Sequence, residues 1–177
     1  MTKSGAVFAV AIEKVLQHEG LFSNDPSDRG GATNYGVSLR WLQSQGLDIN
    51  LDGIVDESDV KMLTRRQAVE FYKKHWWDRY SYSKIKDADV AGKVLDLAIN
   101  MGPKQAHTCL QRALHSHHSM VQIDGVIGPK TRAAVNLVEQ PLCPAFRSEA
   151  AAFYRILVAI KPQYKRFEKG WLRRAYA

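Results

Sequence analysis

Hydrophobic side chains recur three or four positions apart along most of the chain, which is the spacing of one face of an α-helix. No segment shows the sustained alternation of apolar and polar residues that is typical of a β-strand. The pattern therefore predicts an all-α, mostly helical fold, with at most a short hairpin in the polar, glycine-rich segment 21–36. Helices are expected at about 6–19, 38–45, 65–77, from 87 or 89 to near 100, from 103 onward, at 130–138, at 146–160 and in the basic C-terminal segment.

Residues that favour helix ends support these boundaries. Thr64 and Gln67 have the spacing of a capping box, in which each side chain bonds to the other residue's backbone. Gly102-Pro103 and Gly128-Pro129 each combine a break with a proline suited to a first helical turn. No linker or low-complexity segment separates the predicted helices, so residues 1–177 are expected to form a single domain.

The chain carries a formal net charge of +7, which favours an anionic partner such as a nucleic acid, a membrane surface or an acidic cell wall. Residues 161–177 hold six basic side chains against one acid, around a helical stripe formed by Tyr164, Phe167, Trp171 and Leu172. The basic residues, Arg174 among them, are expected on the other faces of this helix. Either they attach the protein to an anionic envelope, or they only solvate a helix that packs on the core. No nucleic-acid-binding motif accompanies them, so nucleic acid is not an expected partner.

Glu19 is the first candidate for chemistry. Phe8, Ile12, Val15 and Glu19 lie on one helical stripe, so the carboxylate continues the apolar face. Partial burial and the negative end of the helix dipole would both raise its pKa, which suits a general acid. The alternative is an ordinary glutamate at a helix end, turned toward solvent.

The segment that follows supplies the partners that such an acid needs. Asp28 offers a second carboxylate to bind water or to stabilise positive charge, and Thr33 offers a hydroxyl group to orient that water. The neighbouring glycines would let the backbone approach a sugar chain closely. The alternative is a polar turn closed by its own side chains.

These residues carry a family resemblance. The stretch from His18-Glu19-Gly20 through Asp28, Gly30-Gly31 and Thr33 to Tyr35-Gly36 resembles the signature of the glycoside hydrolase family 108 lysozymes. Leu21 stands where that family often has a second glycine, while the glutamate is intact. The resemblance implies a lysozyme-like helical fold in which Glu19, Asp28 and Thr33 are catalytic. It also implies that Asn34, Tyr35 and Asn100 bind substrate.

The resemblance extends to the C-terminal part of the chain. Residues 124–131, Asp-Gly-Val-Ile-Gly-Pro-Lys-Thr, resemble the opening of small peptidoglycan-binding helical modules, although a simple Gly-Pro turn would look the same. Within the single domain, residues 1–100 are therefore expected to be the catalytic part. Residues 101–177 are expected to be the peptidoglycan-binding-like part.

The implied activity is that of an N-acetylmuramidase that hydrolyses the β-1,4 bond between N-acetylmuramic acid and N-acetylglucosamine in bacterial cell lysis, as phage endolysins do. Two alternatives stay open: a lytic transglycosylase acting on the same bond, and a wall-binding protein without activity. The resemblance implies peptidoglycan strands as the partner, the basic C-terminal segment adds anionic envelope lipids as a second expected partner, and the protein is expected to be a monomer. The N-terminal segment has no signal-peptide cleavage site, so we expect synthesis in the cytoplasm and action at the cell wall after release through a holin or a dedicated system.

A second motif predicts a structural calcium site. Oxygen donors stand at positions 1, 3, 5, 7, 9 and 12 of a calcium loop with Gly53 at position 6. The donor residues are Asp48, Asn50, Asp52, Ile54, Asp56 and Asp59. The aspartate in the last position has a shorter arm than the usual glutamate, and a solvated acidic turn is the alternative. Catalysis by two carboxylates requires no metal.

Two smaller features complete the sequence evidence. Cys109 and Cys143 are expected to be free thiols, because the predicted compartment does not favour disulfides, although pairing stays open. His115, His117 and His118 are expected to form a polar helix end and not a metal site.

Overall fold

The computed structural model describes residues 3–19, 22–24 and 31–177, without the side chains of residues 3, 4, 18 and 19. Its helices confirm the mostly α-helical fold. Its two-stranded antiparallel hairpin begins in segment 21–36, where a hairpin was expected, but its second strand extends beyond that segment to Ser38. The α-helices are α1 Lys3–Glu19, α2 Leu39–Gln45, α3 Glu57–Met62, α4 Arg65–Tyr72, α5 Ala88–Met101, α6 Pro103–His115, α7 Pro129–Leu137, α8 Cys143–Ile160 and α9 Lys165–Tyr176. The strands are β1 Thr33–Asn34 and β2 Val37–Ser38. A π-helix covers Lys73–Asp78, and short 3₁₀ helices cover Tyr82–Lys84 and Pro162–Tyr164.

The chain divides into two compact units, one formed by residues 12–75 and the other by residues 1–11 together with 76–177. We call them the hairpin unit and the bundle unit. None of the helices in the described part of the chain is both long and apolar enough to cross a membrane.

In the hairpin unit, local capping bonds set the helix boundaries. The Ser38 side chain accepts from the Trp41 N–H at 3.2 Å and begins α2. Thr64 and Gln67 form the predicted capping box at the start of α4. The apolar faces of these helices meet in a core that includes Leu42 and Val60, both without solvent exposure.

In the bundle unit, helices α5, α6 and α8 bury long apolar side chains against one another. Val94, Leu97, Leu110 and Phe146 have no exposed surface. The Asp87 carboxylate accepts from the backbone N–H groups of residues 89 and 90, so Asp87 and not Asp89 caps α5. Cys109 and Cys143 are buried free thiols, as expected.

One helix differs from its predicted form. The segment expected to be α-helical over 65–77 leaves α-helical geometry after Tyr72 and continues as a π-helix through Asp78. Trp77 on this π-helix is 2% exposed, and its ring centroid lies 5.4 Å from that of Phe8. The widened turn is stabilised by burial of a large ring, which local sequence spacing does not reveal.

Candidate active site

Helix α1 ends at Glu19, where the sequence predicted its end. Phe8, Ile12 and Val15 are 6%, 2% and 0% exposed, so the stripe that leads to Glu19 is the buried face of the helix. The Glu19 side chain and the whole of Asp28 lie outside the described residues. Their catalytic assignments therefore stay predictions.

Thr33 is fixed by backbone pairing on both of its sides. Its N–H and carbonyl groups exchange hydrogen bonds of 2.8 Å with those of Ser23, and in the hairpin it stands opposite Ser38. Its side chain is half-buried. The hydroxyl group expected to orient water thus stands on a firmly held segment of the same unit as Glu19.

Asn34 points to the opposite face of the hairpin, because successive side chains of a strand alternate. It is 7% exposed, and its Nδ2 donates to the carbonyl groups of Val60 at 3.0 Å and Leu63 at 3.3 Å. These carbonyl groups lie at the C-terminal end of α3, where they have no partner within the helix. Asn34 therefore holds the hairpin against α3, and its contact with substrate stays a prediction.

Tyr35 and Gly36 form the two-residue turn between β1 and β2. Both have positive φ angles, 51° and 76°, as a type I′ turn requires, and glycine adopts this conformation without strain. The hydroxyl group of buried Tyr72 on α4 donates to the Tyr35 carbonyl group at 2.9 Å. The hairpin tip is thereby held from a second helix, and a substrate contact by Tyr35 stays a prediction.

The hairpin unit also carries an aromatic cluster that sequence analysis did not identify. Trp41 lies 5.6 Å from Phe71 and 5.1 Å from His75 between ring centroids, and all three side chains are half-buried. Phe71 and His75 belong to the segment predicted to be helical over 65–77, but Trp41 is brought to them by α2. Half-exposed rings of this kind offer apolar faces on which a sugar can stack.

The predicted calcium loop is closed by hydrogen bonds of its own. Asp48 accepts from the N–H groups of residues 51 and 53 at 2.6 and 2.7 Å, and Asp52 accepts from that of Ile54 at 2.9 Å. Asp56 caps α3 through the Ser58 N–H. Within the described ranges, no group of three or more His, Cys, Asp or Glu side chains is arranged to hold a metal ion.

Asp59 is the most constrained residue of this loop. It has no exposed surface, and its carboxylate accepts from the N–H groups of Ile49, Asn50 and Asp56 at 2.6, 3.2 and 2.8 Å. Burial by itself raises the pKa of Asp59, but the backbone N–H groups outweigh it and bring the pKa below its ordinary value. Asp59 therefore fastens the loop to the start of α3, and the calcium assignment of residues 48–59 stays a prediction.

Asn100 belongs to the bundle unit. It is exposed in the last turn of α5, and its Oδ1 accepts from the hydroxyl group of Tyr154 on α8 at 2.6 Å. This bond fixes which end of the amide group faces Tyr154. A substrate contact by Asn100 stays a prediction.

The motif over residues 124–131 folds around a buried glutamine. Gln111 donates to the Asp124 carboxylate at 2.7 Å and accepts from the Gly125 N–H at 2.8 Å. Gly125 has a φ angle of 74°, and a Cβ atom there would lie 2.8 Å from the Lys104 carbonyl oxygen. Glycine is thus required by both conformation and space, and the motif acts as the anchor of the loop before α7.

Comparison with known proteins places these features in a family. The sequence profile of glycosyl hydrolase 108 matches residues 12–102, more than half of the chain, and a profile described as a predicted peptidoglycan domain matches residues 105–176. No curated protein sequence matches this chain. A solved structure of SagA from Brucella abortus is similar to it, with 30% sequence identity, a TM-score of 0.76, and coverage of 97% of this chain and 91% of SagA. The chain therefore belongs to the glycosyl hydrolase 108 family and is a glycoside hydrolase that acts on peptidoglycan.

Proposed function

We propose that this peptidoglycan hydrolase is an N-acetylmuramidase with Glu19 as its general acid, cleaving the β-1,4 bond between N-acetylmuramic acid and N-acetylglucosamine. The observation that carries the proposal is the end of α1 at Glu19, in line with a buried apolar stripe. The C-terminal end of a helix favours the neutral form of a carboxylic acid. Glu19 then donates its proton to the glycosidic oxygen as the bond breaks.

Asp28 and Thr33 complete the proposed mechanism. The Asp28 carboxylate stabilises the positive charge that develops on the sugar ring, or accepts a proton from the attacking water. The Thr33 hydroxyl group orients that water. Backbone bonds on both sides of Thr33 support this role, because a hydroxyl group orients a reactant only when its own position is fixed.

The test compares Glu19→Gln with Glu13→Gln on purified sacculi. Glu13 is an exposed glutamate on the same helix, paired with Arg65 at the surface, so its substitution should preserve activity. Glu19→Gln keeps the shape of the side chain but removes its acidic proton, and we expect a loss of about 10²–10⁴-fold in kcat. Near-normal activity of Glu19→Gln would refute the assignment.

The reaction product separates hydrolysis from transglycosylation. A hydrolase releases a muramic acid with a free reducing end, one water molecule heavier than the anhydro sugar made by a lytic transglycosylase. We expect the heavier product in mass spectra of digested sacculi. The anhydro product would show that water does not attack and would remove the proposed roles of Asp28 and Thr33.

We further propose that the enzyme acts in bacterial cell lysis. Cutting the glycan strands weakens the wall that contains the cell's internal pressure. Added to cells with a permeabilised outer membrane, the wild-type protein should clear turbidity, whereas Glu19→Gln should not. Clearing by both proteins would mean that lysis does not depend on glycan cleavage.

A further inference from the structure

The bundle unit contains a groove of about 720 Å³. One wall is a face of α7, on which Lys130, Ala133 and Leu137 follow at helical spacing. The opposite wall is the turn after α6, with His117 and His118. The volume is within the usual range for sites that bind small ligands.

The α7 face in this groove is open. The helix packs on the rest of the unit through its other side, where Thr131 and Val135 are each 5% exposed. On the groove side, Leu137 is 79% exposed and Ala133 is also exposed. The small alanine side chains leave space beside an apolar leucine, so this face can receive a ligand without moving.

The opposite wall is held in place before any ligand binds. His117 and Ser119 both donate their N–H groups to the Leu114 carbonyl group, at 3.0 and 3.1 Å. His118 has a φ angle of 60°, a conformation that non-glycine residues rarely adopt. The turn is therefore a fixed wall and not a loop that must order on binding, which reduces the cost of association.

The chemistry of the groove favours a carboxylate-bearing peptide over a sugar chain. Lys130 and two histidines supply donors, against the single carboxylate of Glu139. The lining residues include no Trp, Tyr or Phe, the rings on which sugars stack. In peptidoglycan the free carboxylates belong to the peptide stems, because the carboxyl group of muramic acid is joined to the stem, and the stems also carry alanine methyl groups.

We propose that this groove binds the peptide stem of peptidoglycan. The stem carboxylates pair with Lys130 and the histidines, and the alanine methyl groups lie against Ala133 and Leu137. The groove lies within the region matched by the peptidoglycan domain profile, and the proposal rests on the assignment of the chain as a peptidoglycan hydrolase. It gives the bundle unit a recognition role that is separate from cleavage by the hairpin unit.

Calorimetry with a soluble tetrapeptide stem tests this binding. Lys130→Gln should raise the dissociation constant about tenfold, which corresponds to a loss of about 1.4 kcal/mol in binding free energy. Ala133→Trp should fill the groove and abolish binding. The matched controls are Arg155→Gln and Ala159→Trp, which change an exposed cation and an exposed alanine on α8, outside the groove, and both should bind normally. Circular dichroism confirms that each variant is folded.

A second measurement separates this proposal from the muramidase assignment. Glycan strands freed of their stems should be cut equally well by the wild type, Lys130→Gln and Ala133→Trp. Two results would overturn the proposal while leaving the enzyme assignment intact. One is that neither groove variant changes the affinity for the stem. The other is that the wild-type protein pellets to the same extent with intact sacculi and with sacculi freed of their stems. Binding of the groove to anionic lipid vesicles in place of the stem would also overturn it. Stem binding without glycan cleavage would instead refute the muramidase assignment alone.

Discussion

The hydroxyl group of Tyr72 donates to the backbone carbonyl oxygen of Tyr35 across 2.9 Å, which joins α4 to the tip of the β-hairpin. Tyr72 is 1% exposed, so its ring is part of the core while its hydroxyl group reaches the turn. The hairpin that carries Thr33 is thus supported from within the same unit.

Removing this hydroxyl group should loosen the turn. Tyr72→Phe retains the buried ring and loses one hydrogen bond, so we expect the free energy of unfolding to fall by about 1 kcal/mol. Activity on sacculi should fall as well, because the Thr33 hydroxyl group is less firmly placed. Urea denaturation and product release measure the two effects. Tyr176→Phe, at an exposed tyrosine of α9, is the control and should change neither.

The prediction that Arg174 lies on the exposed basic face of the C-terminal helix is wrong. It is 7% exposed, its Nε lies 3.7 Å from Asp96, and its backbone carbonyl group accepts from Lys93 at 2.8 Å. Burial lowers the pKa of Lys93, and the neighbouring Asp96 carboxylate opposes that shift. Arg174 therefore belongs to a buried ionic cluster that joins α9 to α5.

Breaking this cluster should destabilise the bundle unit. Arg174→Gln leaves Asp96 buried with one fewer cation, and we expect the free energy of unfolding to fall by about 3–5 kcal/mol. Arg173→Gln changes the neighbouring exposed arginine and should cost no more than about 0.5 kcal/mol. Equal losses in the two variants would show that the cluster has no special importance for stability.

His107 should make stability depend on pH. Its Nδ1 lies 3.0 Å from the Gly125 carbonyl group, which can only accept, so Nδ1 carries the proton and Nε2 accepts from the Tyr82 hydroxyl group at 2.8 Å. Burial lowers the pKa of His107, and its bond to Gly125 opposes that shift. Burial also raises the pKa of Tyr82, so this hydroxyl group remains a donor. The folded protein therefore holds the neutral imidazole.

The direction of this pH dependence follows from the lowered pKa of His107. Below about pH 6.5 the unfolded chain binds a proton at His107 that the folded chain does not, so stability is full above that pH and is lost as the pH falls. The free energy of unfolding can be measured by denaturation at about pH 8 and about pH 5. Its difference between the two pH values should be smaller for His107→Gln than for the wild type or for His115→Gln, which changes an exposed histidine. An unchanged pH dependence in His107→Gln would contradict the role.

The calcium prediction and the structural role of Asp59 can be tested together. If the loop binds calcium, the ion should raise the melting temperature of the wild type, with a stabilisation of about 2.7 kcal/mol at 100 times the Kd. Asp52→Asn should remove this response, whereas Glu70→Gln, at an exposed residue of α4, should retain it. Asp59→Asn should lower stability with or without calcium, because it weakens the bonds to three backbone N–H groups. A wild-type melting curve that calcium does not change would leave the loop as a solvated acidic turn.

The remaining basic residues of α9 are predicted to attach the enzyme to the anionic envelope. Lys165, Lys169 and Arg173 are exposed, and their joint change to Gln leaves the ionic cluster intact. At low salt the variant should bind sacculi or anionic vesicles more weakly than the wild type. Near 1 M salt the two should bind almost equally, because the Debye length is then about 3 Å and the charges are screened. Cleavage of short soluble strands should not change. The control is the same change at Lys86, Arg112 and Arg155. An equal loss of binding in the control would show that the effect comes from net charge and not from the position of the α9 residues.

The sequence by itself determined the elements that depend on near neighbours. The capping box of Thr64 involves bonds within three residues, so its pattern could be recognised in the chain, and the cap of α5 could be narrowed to Asp87 or Asp89. The end of α1 at Glu19 was also predicted from the sequence. The stripe of Phe8, Ile12 and Val15 predicted the buried face of α1 for the same reason, because helical spacing is a local property.

Only the tertiary structure decided which of several plausible roles each polar residue has. Asn34 and Asp59 resemble ligand-binding residues in sequence, yet one holds the hairpin to α3 and the other fastens the acidic loop through three N–H groups. Arg174 looks like its exposed neighbour Arg173 until α5 is packed beside it. A polar side chain can pair with any complementary group that folding brings near it, and apart from the Asp56 N–H those groups here are 9 to 81 positions away along the chain. Their identity follows from packing, which local patterns do not encode.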